Sequence, residues 1–224
     1  MTTAKQAAPL GKFIAIEGVD GAGKGVQSRR LQASLQQQGL QVLLTREPGG
    51  SPGAEEIRQL LVCGAADKWD AMTELLLINA ARRDHLRRTI EPALAAGSWV
   101  ISDRYADSSR AFQGLAGELG LELVDTVHAL VTDNRNPDLT LVLDLDPATS
   151  LARAQSRGDN EDRFEKKGLQ YQLRVQEGFR MLAARSPESH VLIDASGSVD
   201  CVAERVLIAL QRHFPGLPTG EREE

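Results

Sequence analysis

The stretch Phe13-Ile14-Ala15-Ile16-Glu17-Gly18-Val19-Asp20-Gly21-Ala22-Gly23-Lys24-Gly25-Val26 decides how this chain is read. Phe13 to Glu17 is a continuous apolar run closed by a carboxylate, the pattern of a strand covered on both faces. Gly18 to Lys24 then spells G-x-x-x-x-G-K, and a helical stretch from Gly23 to Gln38 follows, ending at Gly39 as its C-cap. Strand, glycine loop and helix in this order form a phosphate cradle. Glycines let the backbone wrap so that its N–H groups face phosphate oxygens, the helix N-terminus adds its positive end, and Lys24 supplies a mobile cation. The expectation is that Gly18, Val19, Asp20, Gly21, Ala22, Gly23, Lys24 and Gly25 hold the phosphates of ATP. One position departs from the motif: the Ser or Thr whose hydroxyl would meet Mg²⁺ is replaced by Gly25, followed by Val26.

Working outward, Gln41–Thr45, Trp99–Asp103, Leu139–Asp144 and His190–Asp194 also read as fully covered strands. Asp70–Ala96, stopped by Gly97, Leu119–Val131 and Leu169–Ala184 read as helices. Alternating strands and helices predict an α/β fold of the P-loop NTPase type: a five-stranded parallel sheet, helices on both faces, and a short lid. Ligands then gather at the carboxyl ends of the strands. That rule selects Glu17–Lys24, Thr45–Gly50, Asp103–Gln113 and the segment after Asp144. Asp103 ends a strand beside the glycine loop, where a carboxylate can hold Mg²⁺ directly or through water. Residues 11–214 are expected to form one domain, with the lid at about 151–167. The polar termini 1–10 and 215–224 are expected to be disordered.

Composition excludes several classes. With 224 residues, 42% hydrophobic and 25% charged, the chain has the balance of one soluble domain. A net charge of -5 argues against a nucleic acid as main partner. Cys63 and Cys201 are far apart and outside metal-ligand spacing, and the four histidines form no ligand pair. No window is apolar enough to span a membrane, and residues 1–10 lack a signal-peptide core. A cytoplasmic location follows as the expectation.

Four clusters follow the glycine loop, the first and third of them at the selected places: Thr45-Arg46-Glu47-Pro48-Gly49-Gly50; Leu75-Leu76-Leu77-Ile78-Asn79-Ala80-Ala81-Arg82 in a predicted helix; Asp103-Arg104-Tyr105-Ala106-Asp107-Ser108-Ser109-Arg110-Ala111-Phe112-Gln113; and Asn136-Pro137-Asp138 running into the fourth strand. In this order behind the glycine loop, they resemble the thymidylate kinase family over nearly the whole domain. The resemblance implies ATP and dTMP as substrates, Mg²⁺ as cofactor, transfer of a phosphoryl group from one to the other, and a homodimer.

Residue by residue, the resemblance gives the forked donors Arg46 and Arg104 the acceptor phosphate, and Asp20 the sugar 3′-hydroxyl. Tyr105 goes beneath the sugar, where it leaves no room for a 2′-hydroxyl, while Arg82, Ser109 and Gln113 read the thymine edge. Ile78 stands where the family usually stacks an aromatic residue on the base. Gly21 stands where some members carry an arginine. The resemblance then brings the catalytic arginine from the charged lid, Arg157 first, with Arg153 and Arg163 as further ATP contacts. Three alternatives stay open at this point: a kinase for another nucleoside monophosphate, a deoxynucleoside kinase, and a nucleotide-binding regulator without turnover, the last motivated by Gly25.

Overall fold

A computed structural model describes residues 11–155 and 163–217. Five strands, β1 (Phe13–Gly18), β2 (Val42–Arg46), β3 (Trp99–Asp103), β4 (Leu139–Asp144) and β5 (His190–Asp194), pair in parallel in the order β2-β3-β1-β4-β5. β1 is central and buried along its whole length, which is why its sequence carries no alternation. The chain leaves β1 between β3 and β4, so the loop after Gly18 opens at the point where strand order reverses. In such sheets that point is the binding crevice. Register aligns the three strand ends that matter: Ile16 and Arg46 both lie opposite Asp103, and Gly18 opposite Leu143.

Helices cover both faces: α1 (Lys24–Gln37), α2 (Pro52–Val62), α3 (Ala71–His85), α4 (Glu91–Ala95), α5 (Ala106–Ser109), α6 (Leu121–Thr132), α7 (Pro147–Gln155), α8 (Leu169–Arg185) and α9 (Val199–His213). One core lies against α1, α8 and α9, with Ile14, Leu31, Val175, Phe179 and Val206 among its buried members. A second, on the other face, joins Phe13, Leu86, Ile90 and Tyr105.

The single helix expected over 70–96 is interrupted. Leu86–Ile90 forms a π-helical turn between α3 and α4. Pro92 explains it, since proline has no N–H to give and its ring collides with the carbonyl four residues back. A second π-helical turn, Arg110–Ala116, continues α5 and carries Phe112 and Gln113. Helices α2 and α9 were not read from the sequence, although each has a start signal: Ser51 before Pro52, and Ser198, whose hydroxyl accepts from Cys201 N. Leu217, within the stretch 215–224 expected to be disordered, packs on the first core with Phe214.

Candidate active site

The glycine loop is shaped by close approaches that only glycine permits. Gly18 has φ +136°, and a Cβ there would lie 2.4 Å from the Leu143 carbonyl oxygen. Gly21 has φ +82°, and a Cβ would lie 1.9 Å from the Ser150 carbonyl oxygen of α7. No side chain fits at residue 21 while α7 holds this position, which is the physical reason the loop carries no arginine there. Lys24 opens α1, and its ammonium donates to the Val19 carbonyl at 2.9 Å, closing the loop from inside. Burial, then the neighbouring Arg104 guanidinium, push that ammonium down to about 8, against the pull of Asp20, Asp103 and Glu17.

A cleft of about 660 Å³ runs along this loop, and Arg29, Arg46, Asp103, Arg104 and Arg153 border it. A smaller pocket of about 110 Å³ lies beside it, with Ile78, Arg82, Ser109, Phe112 and Gln113 in its walls. The two share Asp20, Glu47, Arg58 and Arg104.

Arg104 stands at that junction. Its backbone is left-handed, φ +73°, at the turn from β3 into α5. Its Nη1 donates to the Gly18 carbonyl at 3.0 Å and to Ser108 Oγ at 2.9 Å, while Nη2 donates to Asp20 Oδ1. Burial alone would ease its proton off, yet Asp20, Glu17 and Asp103 together raise it above the usual guanidinium range. The guanidinium also lies 5.1 Å over the Phe112 ring. Beneath it, Glu17 is fully buried and accepts from Tyr105 N, Ser108 N and Ser108 Oγ at 2.8, 3.1 and 2.6 Å. A carboxylate from β1 therefore caps the first turn of α5 from across the sheet. Burial and nearby Asp107 push the Glu17 carboxyl above the ordinary carboxylate range.

In the smaller pocket Arg82 is 1% exposed and firmly held. Its Nε pairs with Glu47 Oε2 at 2.7 Å, and Nη2 donates to Tyr105 O at 2.9 Å and Ser109 Oγ at 3.1 Å. Burial opposes the charge on Glu47, but Arg82 and then His85 outweigh it and hold that carboxyl below its ordinary value. Gln113 donates its amide to Glu74 at 2.8 Å, and its Oε1 is buried with no partner among the described residues.

Several expected site residues sit differently from their sequence reading. Arg163, expected at ATP, does not reach the cleft, and that expectation is corrected. It is fully buried, and its donors go to the carbonyls of Leu61, Ala65, Ala66 and Trp69 and to Glu74 Oε1 at 2.6 Å. With all three of its side-chain nitrogens bonded to those carbonyls and Glu74, it pins the segment before α8 to the end of α2 and the α2–α3 connection. Tyr105 borders the small pocket. It is wholly buried, packed edge-on against Phe13 and His128, with its hydroxyl donating to the Arg135 carbonyl at 2.9 Å. Phe112, whose ring the Arg104 guanidinium overlies, borders the same pocket. Arg46 lines the large cleft from the rim, half exposed and paired with Glu55 at 3.0 Å. Arg157 lies outside the described residues.

Sequence reasoning missed Glu17, Glu47, Arg58 and Phe112. Glu17 did carry a signal, since a carboxylate ending an apolar strand must find donors once buried. Arg58 carried none.

A family model described as thymidylate kinase matches residues 16–206. That span covers both pockets, the end of β1 and the other four strands. The chain belongs to the thymidylate kinase family. It is 52% identical over 205 residues to the thymidylate kinase of Ruegeria pomeroyi, covering 91% of this chain and 96% of that one. To that of Caulobacter vibrioides it is 48% identical over 196 residues, covering 88% and 94%. The crystal structure of thymidylate kinase from Ehrlichia chaffeensis superposes with a TM-score of 0.74 at 31% identity, covering 91% of this chain and all of that chain. The five-stranded parallel sheet read from the sequence is thus the thymidylate kinase fold. Among the described residues no helix is long and apolar enough to cross a membrane.

Proposed function

We propose that this chain phosphorylates dTMP to dTDP with ATP as donor, by direct in-line transfer between the two clefts. One observation carries the reading: the large cleft behind the glycine loop and the small polar-edged pocket share Asp20 and Arg104 as common wall. A γ-phosphate in one and an acceptor phosphate in the other would meet at a guanidinium. Phosphoryl transfer is mainly positioning and charge neutralisation, and the acceptor oxygen is already ionised, so no strong general base is required.

Each side chain then has a task. Lys24 and the α1 N-terminus bind the donor phosphates. Arg104, with Arg46 at the rim, binds the acceptor phosphate, and its bonds to Gly18 and Ser108 fix its fork in advance. Asp20 receives the sugar 3′-hydroxyl, and Arg58 reaches the junction from α2. Gln113 Oε1, an unfilled buried acceptor, receives the thymine ring N–H; Arg82 and Ser109 meet the adjoining carbonyl; Ile78 covers the base. Phe112 closes the sugar side over buried Tyr105. Arg153, and Arg157 beyond the described residues, neutralise charge from the lid.

Mg²⁺ accompanies ATP in this reading, and the residues fit it. The Asp103 carboxylate borders the large cleft with no hydrogen-bond partner among the described residues, and a Cβ on Gly25 would lie 3.3 Å from its Oδ2. No group of three or more His, Cys, Asp or Glu among the described residues could hold a metal. Asp103 would therefore share the ion with phosphate oxygens and water. When bound, the ion neutralises charge on the donor phosphates. A homodimer in the cytoplasm belongs to the same proposal.

The test is ADP release from ATP, Mg²⁺ and each of dTMP, UMP, CMP and AMP. Turnover should be fastest by a wide margin with dTMP. Equal turnover of all four, or ATP binding without ADP release, would overturn the assignment.

A further inference from the structure

Glu74 lies behind the small pocket, wholly buried on α3, and its carboxylate takes three donors from two segments, the connection before α8 and the π-helical turn after α5. Oε1 accepts from Arg163 Nη2 at 2.6 Å and from Lys167 Nζ at 2.7 Å, and Oε2 accepts from Gln113 Nε2 at 2.8 Å. Two cations hold one oxygen, and the other faces an amide. An ionised carboxylate only accepts hydrogen bonds, so it tolerates the nitrogen end of that amide and repels the oxygen end. Gln113, 1% exposed and bordering the pocket, is thereby fixed with its oxygen as the unpartnered atom.

We propose that Glu74 is a specificity-determining positioning residue, which selects keto pyrimidines by locking the Gln113 amide with its acceptor toward the base. The inference rests on the small pocket being the base site. Thymine and uracil offer an N3–H donor to that acceptor. Cytosine offers an N3 lone pair, so two acceptors would face each other in a buried site, a mismatch that such sites reject strongly. Without Glu74 a glutamine amide can turn end for end at little cost, and the pocket would read either base edge. Arg163 and Lys167 belong to the same device. By claiming Oε1 they determine which oxygen of Glu74 is left for Gln113.

Glu74→Gln inverts the arrangement. The cations retain the new carbonyl oxygen, so the new NH₂ takes the place of Oε2 and faces Gln113. Gln113 must then turn its own oxygen inward and present NH₂ to the base. The readout is the ratio of kcat/KM for dTMP to that for 5-methyl-dCMP, which keeps the methyl group and sugar and changes only the base edge. That ratio should fall about tenfold or more in Glu74→Gln, with 5-methyl-dCMP gaining in absolute terms. Added to Gln113→Met, the same change should move the ratio no further. A merely structural role for Glu74 would lower both substrates together and leave the ratio unchanged, and that result overturns the proposal. If the single variant does not fold, Glu74→Gln with Lys167→Met removes one charge of each sign from the cluster, and the same fall in ratio is required of it. Failure of the wild-type protein to phosphorylate dTMP would instead overturn the functional reading beneath it.

Discussion

Replacing Arg104 with alanine removes a side chain that bonds three structural elements at once: the Gly18 carbonyl at 3.0 Å, Ser108 Oγ at 2.9 Å, and the Asp20 carboxylate. In the proposed reaction the same fork meets the acceptor phosphate, whose charge must approach that of the donor. Losing one preorganised charge-assisted contact of this kind costs about 2 to 4 kcal/mol of transition-state stabilisation, roughly thirty- to a thousandfold in rate. Two effects shape the outcome. Asp20 and buried Glu17 lose their nearest cation, which raises repulsion against the incoming acceptor. Lys24 loses a cationic neighbour that had depressed its proton affinity, so its grip on ATP is preserved. The expected signature is therefore a large fall in kcat/KM for dTMP with ATP affinity within about threefold of wild type. Arg104→Lys keeps the charge but loses the fork, and should recover only part of the loss. Steady-state ADP release measures the first quantity, and titration with a fluorescent ATP analogue the second. A kcat/KM for dTMP within threefold of wild type would remove Arg104 from the acceptor site and refute the reasoning.

Three further outcomes are expected. Because the Lys24 ammonium is down to about 8 in the free protein, it is largely neutral at pH 8.5, and ATP phosphates should restore its charge. Calorimetry in buffers of different ionisation heat should show more than about half a proton taken up per ATP at pH 8.5 and little at pH 6.5, with Lys24→Met abolishing the uptake; buffer-independent heats at pH 8.5 would contradict this. Arg163→Met leaves Glu74 short of its fully buried partner, and breaking such a pair costs about 3 to 5 kcal/mol, lowering Tm by roughly 6 to 20 °C in a domain of this size. A melting point within about 2 °C of wild type, equivalent to roughly 1 kcal/mol or less, would show that the pairing carries little stability. Asp103→Asn should sharply raise the Mg²⁺ concentration for half-maximal turnover, whereas Gly25→Ser should leave it unchanged or lower it once the Asp103 carboxylate shifts a few tenths of an ångström to admit the new Cβ. Recovery of turnover only in Gly25→Ser would mark the natural chain as disabled.

The sequence by itself determined the sheet and its crevice. Strands buried on both faces must be continuously apolar, and the glycines admit the left-handed backbone at Gly21 and Gly23 that leads into α1, so Phe13–Lys24 carried its structure locally. The family resemblance was likewise legible, because its motifs stand in a fixed order behind the glycine loop. What only the tertiary structure decided was the direction of each side chain. Arg82 and Arg163 look alike in sequence, yet one edges the small pocket and the other is consumed by four carbonyls and Glu74. Tyr105 and Phe112 are both aromatic and seven residues apart, and only the fold brings both to the small pocket, one buried against Phe13 and His128 and the other carried on the π-helical turn at Arg110–Ala116. Glu74 gave no signal at all, because its partners Gln113, Arg163 and Lys167 lie 39, 89 and 93 residues away. Hydrogen-bond satisfaction in a buried site is a property of the assembled packing, since a polar group's partner is whichever donor the fold brings within about 3 Å, whatever its distance along the chain.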